Sequence, residues 1–581
     1  MKHTPWWQTA VFYQIYPRSF ADGNGDGIGD FAGLIDKLDY LQDLGIDAIW
    51  LSPHYASPQF DCGYDIADYL SPAEEYGTLD EFKRFLDGAH ARGIRIILDL
   101  VLNHTSDQHQ WFIDSRSSRD HPKRDWYIWR DGRDGGPPNN WHAAFSDSAW
   151  EYDAATGQYY YHYFFKEQPD LNWRNPEVKR AMFDAARFWL DLGVDGFRLD
   201  AIGTLFEDPT LADHTAEMSQ RDLFRELRDS FPSQTDTEHA RYLAEQFRRL
   251  IEKQVDQPGV HELMRELRAL VDEYDDRVLV GETDEISYYG DGDNELHLTF
   301  NFPLMRAARL TPAWILANQA ERLAALPPGA WPCNTLGNHD SPRVLSRYAD
   351  GRDPDALARL HLALMLTLRG TPFLYNGEEI GMGDWPLADI GQFRDNLGVW
   401  RYQMIMAEAD EGRIDALDVN EALALANNFS RDKGRTPMQW RNAPNGGFTP
   451  AGVAPWLPVH PNYAQGVNVA DQANDPGSML NFYRAMLRLR RRTPALILGD
   501  FEPLNAPADC LVFLRRTKAQ RCLVALNFSE EPQTLDLGGV ARFARSLWKA
   551  EEQGGGGAGE MIDLSRLMLT PFGIYIGELD E

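Results

Sequence analysis

The chain has 581 residues, of which 43% are hydrophobic and 25% charged, and this composition is typical of a globular protein rather than a disordered, collagen-like or coiled-coil chain. Its 57 Lys and Arg against 88 Asp and Glu give a formal net charge of −31. So acidic a surface repels phosphate backbones and anionic lipids, so we expect neither nucleic acid nor membrane as a partner.

The four cysteines lie far apart in the sequence, at Cys62, Cys333, Cys510 and Cys522. They form no CxxC pair, which argues against a zinc site, and their scarcity is typical of a reducing compartment. The first ten residues contain no apolar stretch like that of a signal peptide, and no run approaches 18 apolar residues. We therefore expect a cytoplasmic protein without a membrane span.

Short apolar runs alternate with helical patterns along most of the chain, and alternating β and α units predict a parallel sheet. Eight such units predict an α/β fold of the (β/α)₈ (TIM barrel) class. For the sixth run, strand and loop are both left open. The eight candidate strands are 11–16, 47–52, 94–100, 194–199, 277–281, 296–302, 332–337 and 372–375, with helical patterns such as 33–45 and 78–93 between them.

Two connections are longer than a simple loop, and such connections are commonly functional. Residues 105–172, rich in Trp, Tyr, Asp and Gly, follow the third strand and predict an inserted subdomain B. Residues 203–276 follow the fourth strand and contain helical patterns at 239–255 and 259–274.

The C-terminal part changes from helical to strand-like patterns. A long helix is predicted at 478–492, and short strands follow at 511–516 and 521–528, which favours an antiparallel β-sandwich. The glycine run Gly554–Gly557 precedes a last segment with a hairpin-like pattern. The predicted domains are a barrel (1–104 and 173–500), subdomain B (105–172) and the sandwich (501–581).

Polar side chains follow four of the predicted strands at the point where each strand ends. A single Asp after a strand is commonly a helix N-cap. Four strands that all end in such residues indicate an active site, because the carboxyl ends of barrel strands meet on one face. These residues are Asp99, Asn103, His104, Arg198, Asp200, Glu282, Asn338, His339 and Asp340.

Two of these carboxylates suit the chemistry of glycoside hydrolysis. Arg198 and Asp200 lie two apart on a strand and share a face, so the guanidinium is expected to lower the pKa of Asp200, as a nucleophile requires. Glu282 follows the apolar run RVLVG, where desolvation is expected to raise its pKa, as a general acid requires. Asp340 is a third carboxylate suited to binding sugar hydroxyls.

The motifs resemble the α-amylase superfamily (glycoside hydrolase family 13), and within it the α-glucosidase and oligo-1,6-glucosidase branch. The resemblance covers nearly the whole chain, and its motifs in this order and spacing are highly specific. They are AVFYQIYPRSF (10–20), DLVLNH (99–104), QPDLNW (168–173), GFRLDAI (196–202), VGET (280–283), NHDSPR (338–343) and RTPMQW (435–440).

The resemblance implies a role for each matching residue. Asp200 matches the nucleophile, Glu282 the general acid/base, and Asp340 the stabiliser of the transition state. Tyr64 resembles the aromatic platform beneath the sugar. The residues that the resemblance places in the sugar subsite are Asp61, Tyr64, His104, Arg198, His339 and Arg435.

The resemblance also bears on linkage, through the residue after the nucleophile. Valine there accompanies a preference for α-1,6 bonds and alanine or threonine a preference for α-1,4 bonds, and here it is Ala201. We expect a retaining, exo-acting α-glucosidase that releases glucose from short maltose-like sugars. The alternatives are a trehalose synthase or sucrose isomerase of the same fold and, much less favoured, a non-catalytic relative such as a transporter heavy subunit. Chain-length preference, transglucosylation and oligomeric state are left open.

The loop DGNGDGIGD at 22–30 resembles the single structural metal loop of this branch. It lacks the final glutamate of an EF-hand, since Gly33 stands there, and it also fails as a dinucleotide fingerprint. The resemblance implies a structural Ca²⁺ (or Mg²⁺) and no organic cofactor. The expected ligands are Asp22, Asn24, Asp26, the Ile28 carbonyl and Asp30.

Overall fold

The computed structural model describes residues 4–230, 238–410, 419–549 and 559–579. At its centre is a parallel sheet of eight strands, in the order β6-β5-β4-β3-β2-β1-β8-β7. Because β1 pairs with both β2 and β8, the sheet curls into a nearly closed barrel, and the predicted TIM-barrel class is confirmed. The strands are β1 (Phe12–Ile15), β2 (Ala48–Leu51), β3 (Arg95–Val101), β4 (Gly196–Asp200), β5 (Val278–Gly281), β6 (Leu298–Thr299), β7 (Cys333–Thr335) and β8 (Thr371–Tyr375). The sixth run, for which strand and loop were both open, is a strand of two residues.

Alternate residues of the strands point to opposite sides of the barrel wall. One set, which includes Phe12, Trp50 and Val280, forms a cluster of its own inside the barrel. The other set, which includes Tyr13 and Ile49, belongs to the large cluster shared with the surrounding helices. A residue two places after an inward-facing one also faces inward, and this rule decides which strand-end side chains reach the site.

Helices surround the sheet, and most begin at an evident capping signal. Thr78 and Glu81 form a capping box at the start of the helix Leu79–Ala91, and Pro176 opens the helix that follows its N-cap Asn175. The helices up to β4 are Trp6–Thr9, Phe31–Asp36, Leu38–Leu44, Leu79–Ala91, Gln110–Ser117 and Pro176–Asp191. Those after β5 and before the C-terminal sheet are Phe302–Arg306, Pro312–Ala325, Val344–Tyr348, Pro354–Thr367, Asn396–Asp410, Val419–Phe429, Val469–Ala473, Met479–Arg491 and Pro494–Leu498.

The two long connections have structure of their own. The first, after β3, contains a three-stranded antiparallel sheet of Trp129–Arg130, Gln158–Tyr161 and Trp150–Asp153, in that spatial order. The second, after β4, contains the helices Gln220–Ser230, Glu238–Ile251 and Val260–Val271. Both therefore begin at the carboxyl ends of barrel strands, where they can wall the site.

The C-terminal part is an antiparallel sheet of six strands with one face against the barrel. Phe513 and Val524 on that face belong to the barrel's large apolar cluster, whereas their neighbours Val512 and Leu523 face a second, smaller sheet. The six strands, in spatial order, are Asp500–Pro503, Cys510–Arg516, Arg521–Asn527, Ile574–Leu579, Phe543–Lys549 and Met561–Asp563, and the small sheet pairs Gln533–Leu535 with Leu567–Leu569.

The predicted C-terminal hairpin is wrong. The strands Met561–Asp563 and Ile574–Leu579 both pair with Phe543–Lys549, and Ile574–Leu579 also pairs with Arg521–Asn527, so neither pairs with the other. Local alternation cannot distinguish these partners, because non-local strands compete for each edge.

The glycine run Gly554–Gly557 lies outside the described residues. The domain boundaries at 104, 172 and 500 stay predictions.

All four cysteines are buried and carry free thiols. Among the helices of the described ranges, none combines the length and apolar character needed to cross a bilayer.

Candidate active site

The carboxyl ends of the barrel strands surround one pocket of about 290 Å³. Val280 faces the barrel interior and Glu282 follows it by two residues, just as Asp99 follows Ile97 and Asp200 follows Arg198. The pleat of each strand therefore turns these carboxylates into the mouth of the barrel. The charged or ring-nitrogen groups at the pocket surface are Asp61, Asp200, Glu282, Asp340, Arg431 and His104, and the other walls are Tyr64, Ala201, Phe145, Phe164, Leu397 and Phe429.

Arg198 holds three carboxylates at the floor of the pocket. Its Nη1 donates to Asp99 at 2.7 Å and to Asp200 at 2.6 Å, and its Nη2 lies 2.7 Å from Glu282 Oε1. The guanidinium is 1% exposed, so these contacts are little screened by water. Arg198 therefore orients both predicted catalytic carboxylates, while it stands behind them instead of lining the pocket.

The sequence led us to expect a raised pKa for Glu282 and a lowered pKa for Asp200, and the structure agrees with only the first. Burial raises the pKa of Glu282 to about 8, as a general acid requires. The expected lowering of the Asp200 pKa is wrong, because burial outweighs Arg198 and raises it. The reason is that the single charge of Arg198 is divided among Asp99, Asp200 and Glu282.

Asp340 has the opposite environment. Arg435 donates to its Oδ1 at 2.6 Å, Arg431 lies 3.5 Å from the same oxygen, and His339 Nε2 lies 3.3 Å from Oδ2. These neighbours outweigh burial and hold the pKa of Asp340 well below its usual range. Asp340 therefore stays ionised and can accept hydrogen bonds from sugar hydroxyls.

A hydrogen-bonded chain links His339 to the floor of the pocket. The Gln14 amide donates to His339 Nδ1 at 2.7 Å, so Nε2 carries the proton and faces the Tyr64 hydroxyl at 2.6 Å. Tyr64 in turn donates to Asp99 at 3.0 Å. Burial holds the pKa of His339 far below its usual value, so the ring is neutral. His339 therefore positions Tyr64 and lies behind it, and it does not line the pocket.

His104 and Asp61 meet at another side of the pocket. Gln168 Nε2 lies 2.9 Å from His104 Nε2 and 3.1 Å from Asp61 Oδ2. Burial lowers the pKa of His104 to about 3, so this ring is also neutral. Gln168 belongs to the QPDLNW motif, and here it joins subdomain B to the sugar-facing residues.

Arg431 is a functional candidate that sequence reasoning missed. Its Nη2 lies 2.7 Å from both Asp61 and Asp395, and its Nη1 reaches Asp340, so it joins groups from three distant segments. Arg435, which was predicted, is fully buried behind Asp340. Arg431 stands four residues before the RTPMQW motif, and nothing local to NNFSRDKG separates it from a surface arginine.

Ala201 adopts the left-handed conformation (φ 43°, ψ 42°) at the turn after β4. A non-glycine residue there costs about 1 kcal/mol. In this conformation the Ala201 N–H donates to Glu282 Oε2 at 2.9 Å. The turn therefore places Ala201, the residue from which the linkage preference is predicted, at the pocket wall and in contact with Glu282.

The expected metal ligands form a self-bonded loop. Asp22 accepts from the amides of Gly25 and Gly27, and Asp30 caps the following helix and accepts from Gly23 and Asn24. Their oxygens are of the class that Ca²⁺ prefers. In the described part of the chain, however, no three acidic, His or Cys side chains converge as metal ligands, so Asn24 and the Ile28 carbonyl would have to complete the set. Metal binding stays a prediction.

Comparisons with known proteins identify the family of the chain. Residues 14–499 match the family described as "Alpha amylase, catalytic domain". The chain is 39% identical to an oligo-1,6-glucosidase of Parageobacillus thermoglucosidasius over 90% of this chain and 91% of that one, and 36% identical to an alpha-glucosidase of Schizosaccharomyces pombe over 91% and 92%.

Solved structures of sucrose-converting enzymes are also similar. The trehalulose synthase of Pseudomonas mesoacidophila MX-45 is 38% identical to this chain and superposes on it with a TM-score of 0.84. An isomaltulose synthase of Erwinia rhapontici NX5, in complex with sucrose, is 36% identical and superposes with a TM-score of 0.85. Each superposition covers 100% of this chain and 100% of the other chain. The family match spans most of the chain, and the relatives span nine-tenths of it. The chain therefore belongs to the alpha-amylase family and is a glycoside hydrolase of its oligo-1,6-glucosidase and α-glucosidase branch.

Proposed function

We propose that this enzyme is a retaining, exo-acting α-glucosidase that releases glucose from short α-1,4-linked sugars such as maltose. The observation that carries the proposal is the joint hold of Arg198 on Asp200 and Glu282 at the floor of a single pocket. A glycosidase of the retaining type needs one carboxylate as nucleophile and a second as acid and base.

The pKa order supports these roles. At neutral pH Glu282, with its pKa near 8, holds a proton. It gives this proton to the glycosidic oxygen as Asp200 attacks the anomeric carbon, so the carbon–oxygen bond breaks and the leaving sugar departs as an alcohol. Protonation of Glu282 also removes a negative charge near Asp200, which favours the ionised nucleophile. A water molecule then gives its proton to Glu282 and attacks the glucosyl-enzyme, and glucose is released with its α configuration.

The remaining groups suit one neutral sugar ring. Asp340 and Asp61 accept hydrogen bonds, Arg431 between them donates, and Tyr64 offers an aromatic face stacked on His339 at 5.5 Å. These ion pairs hold Asp61 and Asp340 in place as acceptors for the hydroxyl groups of a terminal glucose, which is the ring that an exo-acting enzyme binds. A small α-glucoside is therefore the proposed substrate.

Asp200→Asn tests the assignment of the nucleophile. We expect turnover on maltose to fall by more than about 10³-fold, because the amide cannot form the covalent intermediate. The stereochemistry is followed separately by NMR, in which α-glucose should be the first product. Wild-type activity in the variant, or β-glucose released first, would show that the mechanism is wrong.

The linkage preference rests on Ala201 and is tested by a panel of sugars. We expect a higher kcat/KM for maltose than for isomaltose. The relatives named oligo-1,6-glucosidase make the α-1,6 bond the competing choice, so an isomaltose preference would overturn this part of the proposal alone. Maltotriose in the same panel reports on chain length.

A sucrose isomerase is the second candidate, because solved structures of a trehalulose synthase and an isomaltulose synthase resemble the whole chain. Incubation with sucrose separates the two: a hydrolase yields glucose and fructose, whereas an isomerase yields an isomeric disaccharide. Incubation with maltose separates a trehalose synthase from a hydrolase in the same way, because the synthase yields trehalose. The cytoplasmic location stays a prediction from cysteine usage.

A further inference from the structure

A cavity of about 320 Å³, here called the basal cavity, lies at the amino ends of β1, β2 and β3. Val11 directly precedes β1, Asp47 directly precedes β2, and Arg95 is the first residue of β3. The catalytic pocket lies at the carboxyl ends of the same strands, so the barrel separates the two. The basal cavity is large enough for a small organic molecule.

Three arginines line the basal cavity, although the chain as a whole carries a net charge of −31. Arg490 and Arg491 come from the last turn of the helix Met479–Arg491, and Arg95 comes from β3. The acidic residue of the cavity wall is Asp47, and its carboxylate lies 2.7 Å from Arg491 Nη2. The cavity is therefore a positively charged place on an acidic protein.

The charge of Arg490 is buried and is bonded only to neutral groups in the described part of the chain. Its side chain, 1% exposed, donates to the carbonyls of Leu366 and Leu496 through Nη1 and to that of Gly370 through Nη2, at 2.8 to 2.9 Å. Its Nε has no partner among the described residues. Burial lowers the pKa of Arg490 to about 10, and the charge of Asp47 offsets only part of this effect. Carbonyl dipoles thus hold the guanidinium without neutralising it.

A second buried guanidinium adds to the positive charge. Arg515 donates to the carbonyls of Thr367 and Gly499, and Thr367 adjoins Leu366, whose carbonyl accepts from Arg490. Burial, and then the charge of Arg490, hold the pKa of Arg515 far below its usual value. Two like charges so close together repel each other, and an anion in the basal cavity would relieve this repulsion.

The charge that remains fits a phosphate group. Arg95 and Arg491 each lie 2.7 Å from a carboxylate oxygen, so their charges are compensated. Arg490 and Arg515 form no ion pair within the described ranges, so two positive charges remain. A phosphate monoester carries close to two negative charges near neutral pH, whereas a carboxylate carries one. Guanidinium groups also match phosphate oxygens in hydrogen-bond geometry.

The rest of the cavity wall suits an organic group. Trp6, Leu487 and Ile497 supply apolar surface there. The Arg95 guanidinium lies 5.4 Å from the ring centre of Trp6, so the charged and the apolar parts of the wall adjoin. A free phosphate ion would leave this apolar surface uncovered, whereas the organic part of an ester would cover it.

We propose that the basal cavity binds a small phosphate monoester. Arg95 and Arg491 hold the phosphate group, the buried charge of Arg490 attracts it, and the organic group lies against Trp6. The ligand is not the substrate, because the proposed hydrolysis acts on a neutral sugar at the other end of the barrel. The proposal therefore stands independently of the proposed function.

Binding calorimetry with phenyl phosphate, inorganic phosphate and phenol tests the site, near neutral pH and at constant ionic strength. We expect phenyl phosphate to bind at least about fivefold more tightly than inorganic phosphate, because the ring buries apolar surface. Phenol lacks the charged group and should show no binding at the same concentrations. Phenyl phosphate should also raise Tm by an amount that saturates, as a bound ligand does, whereas a general salt effect keeps growing with concentration.

Two substitutions should change this affinity in opposite directions. Arg491→Gln removes a positive charge from the wall and should raise the Kd for phenyl phosphate at least about tenfold. Asp47→Asn removes the negative charge, keeps an oxygen for the Val11 amide, and should lower the Kd at least about threefold. Arg488→Gln is the matched control, because Arg488 is exposed on the same helix and lies outside the cavity wall. It should leave the Kd nearly unchanged.

The outcomes separate this proposal from the proposed function. If phenyl phosphate does not bind the wild type, or if Arg488→Gln weakens binding as much as Arg491→Gln, the site is wrong. Equal affinity for inorganic phosphate and phenyl phosphate would overturn the assignment of an ester. If Arg491→Gln does not fold, Asp47→Asn decides alone, since an unchanged or weaker affinity in that variant overturns the proposal. Hydrolysis of maltose is measured separately, and its absence would count against the proposed function only.

Discussion

At the scale of single residues, the balance of charge around Arg198 governs the site. One guanidinium faces the carboxyl groups of Asp99 and Asp200, which are at most 10% exposed, and of Glu282, whose side chain is 23% exposed at the pocket, so full ionisation would leave a net charge of −2. Protonation of one carboxyl relieves this repulsion at the smallest cost in free energy. That proton is the one a glycosidase donates to its leaving group.

Glu282→Gln tests this balance through activity. Since the acid must be protonated, kcat/KM of the wild type should decline above about pH 8, in line with the raised pKa. The variant should lose about 10²–10⁴-fold on maltose and show no alkaline decline. With a 4-nitrophenyl leaving group, which needs little protonation, the loss should be smaller. An unchanged alkaline limb in the variant would contradict the assignment.

The same substitution makes a prediction about stability. The Glu282 pKa is near 4.5 in an unfolded chain and near 8 in the folded one, so between these values the folded protein holds the extra proton. The free energy of unfolding therefore falls as pH rises from about 4.5 to about 8. The amide side chain of the variant cannot ionise, so its Tm advantage over the wild type should be small at pH 4.5 and largest at pH 9. Equal Tm differences at both would contradict the raised pKa.

Arg431→Met tests the residue that sequence reasoning missed. The change leaves Asp395, fully buried, and Asp61 without their shared cation. The loss of one partner of a buried ion pair costs about 3–5 kcal/mol, so Tm should fall, and KM for maltose should rise at least tenfold. Adding Asp395→Asn removes one orphaned charge and should recover part of the Tm but not the KM. An unaltered KM would exclude Arg431 from sugar binding.

At the scale of elements, the pleat of the barrel strands decides which side chains reach the candidate active site. Phe12 and Gln14 of β1 share the inner face, as do Ile97 and Asp99 of β3. On each strand the deeper residue fills the barrel and the residue nearer the carboxyl end joins the site. A shift of one residue in strand register would turn every one of these groups towards the helices.

The loop at 22–30 carries the prediction of metal binding. If it binds Ca²⁺, EDTA should lower Tm by several degrees and added CaCl₂ should restore it, because a ligand that binds only the folded state stabilises that state. Asp26→Ala, which removes one oxygen ligand of the loop, should have a Tm that responds little to either. MgCl₂ in place of CaCl₂ identifies the ion. A wild-type Tm indifferent to EDTA and to both ions would refute the prediction.

At the scale of the whole molecule, the barrel and the C-terminal sheet share one apolar core. Phe513 and Ile576 of the sheet belong to the same cluster as Leu364 and Leu366 of the helix Pro354–Thr367. Arg515, also buried, donates to the Gly499 carbonyl at 2.9 Å. The two parts therefore stabilise each other, and we expect calorimetry to show a single unfolding transition.

Phe513→Ala measures this coupling. Truncation of a fully buried Phe costs about 3–5 kcal/mol, and the single transition should move to lower temperature as a whole. Met568→Ala is the control, because Met568 is 61% exposed and should change stability by less than about 0.5 kcal/mol. If Phe513→Ala splits the transition in two, the barrel and the sheet unfold independently.

Much of the fold and of the candidate active site could be predicted from the sequence by itself, because both depend on local patterns. Seven of the eight strands follow from apolar runs of the right length, whereas the sixth was open between strand and loop, and Asp200 and Glu282 follow from their place at strand ends. The motifs and their spacing indicate the family without any knowledge of contacts. These inferences need only the periods of strands and helices, which neighbouring residues determine.

The tertiary structure alone decided what depends on residues far apart in the chain. Strand partners at the C-terminus and the ion pairs of Arg431 with Asp61 and Asp395 join segments that lie more than 15 residues apart in the sequence. The same holds for the pKa of Asp200, since the charge of one arginine is shared among Asp99, Asp200 and Glu282. The physical reason is that burial and charge sharing depend on the whole folded chain and not on local sequence.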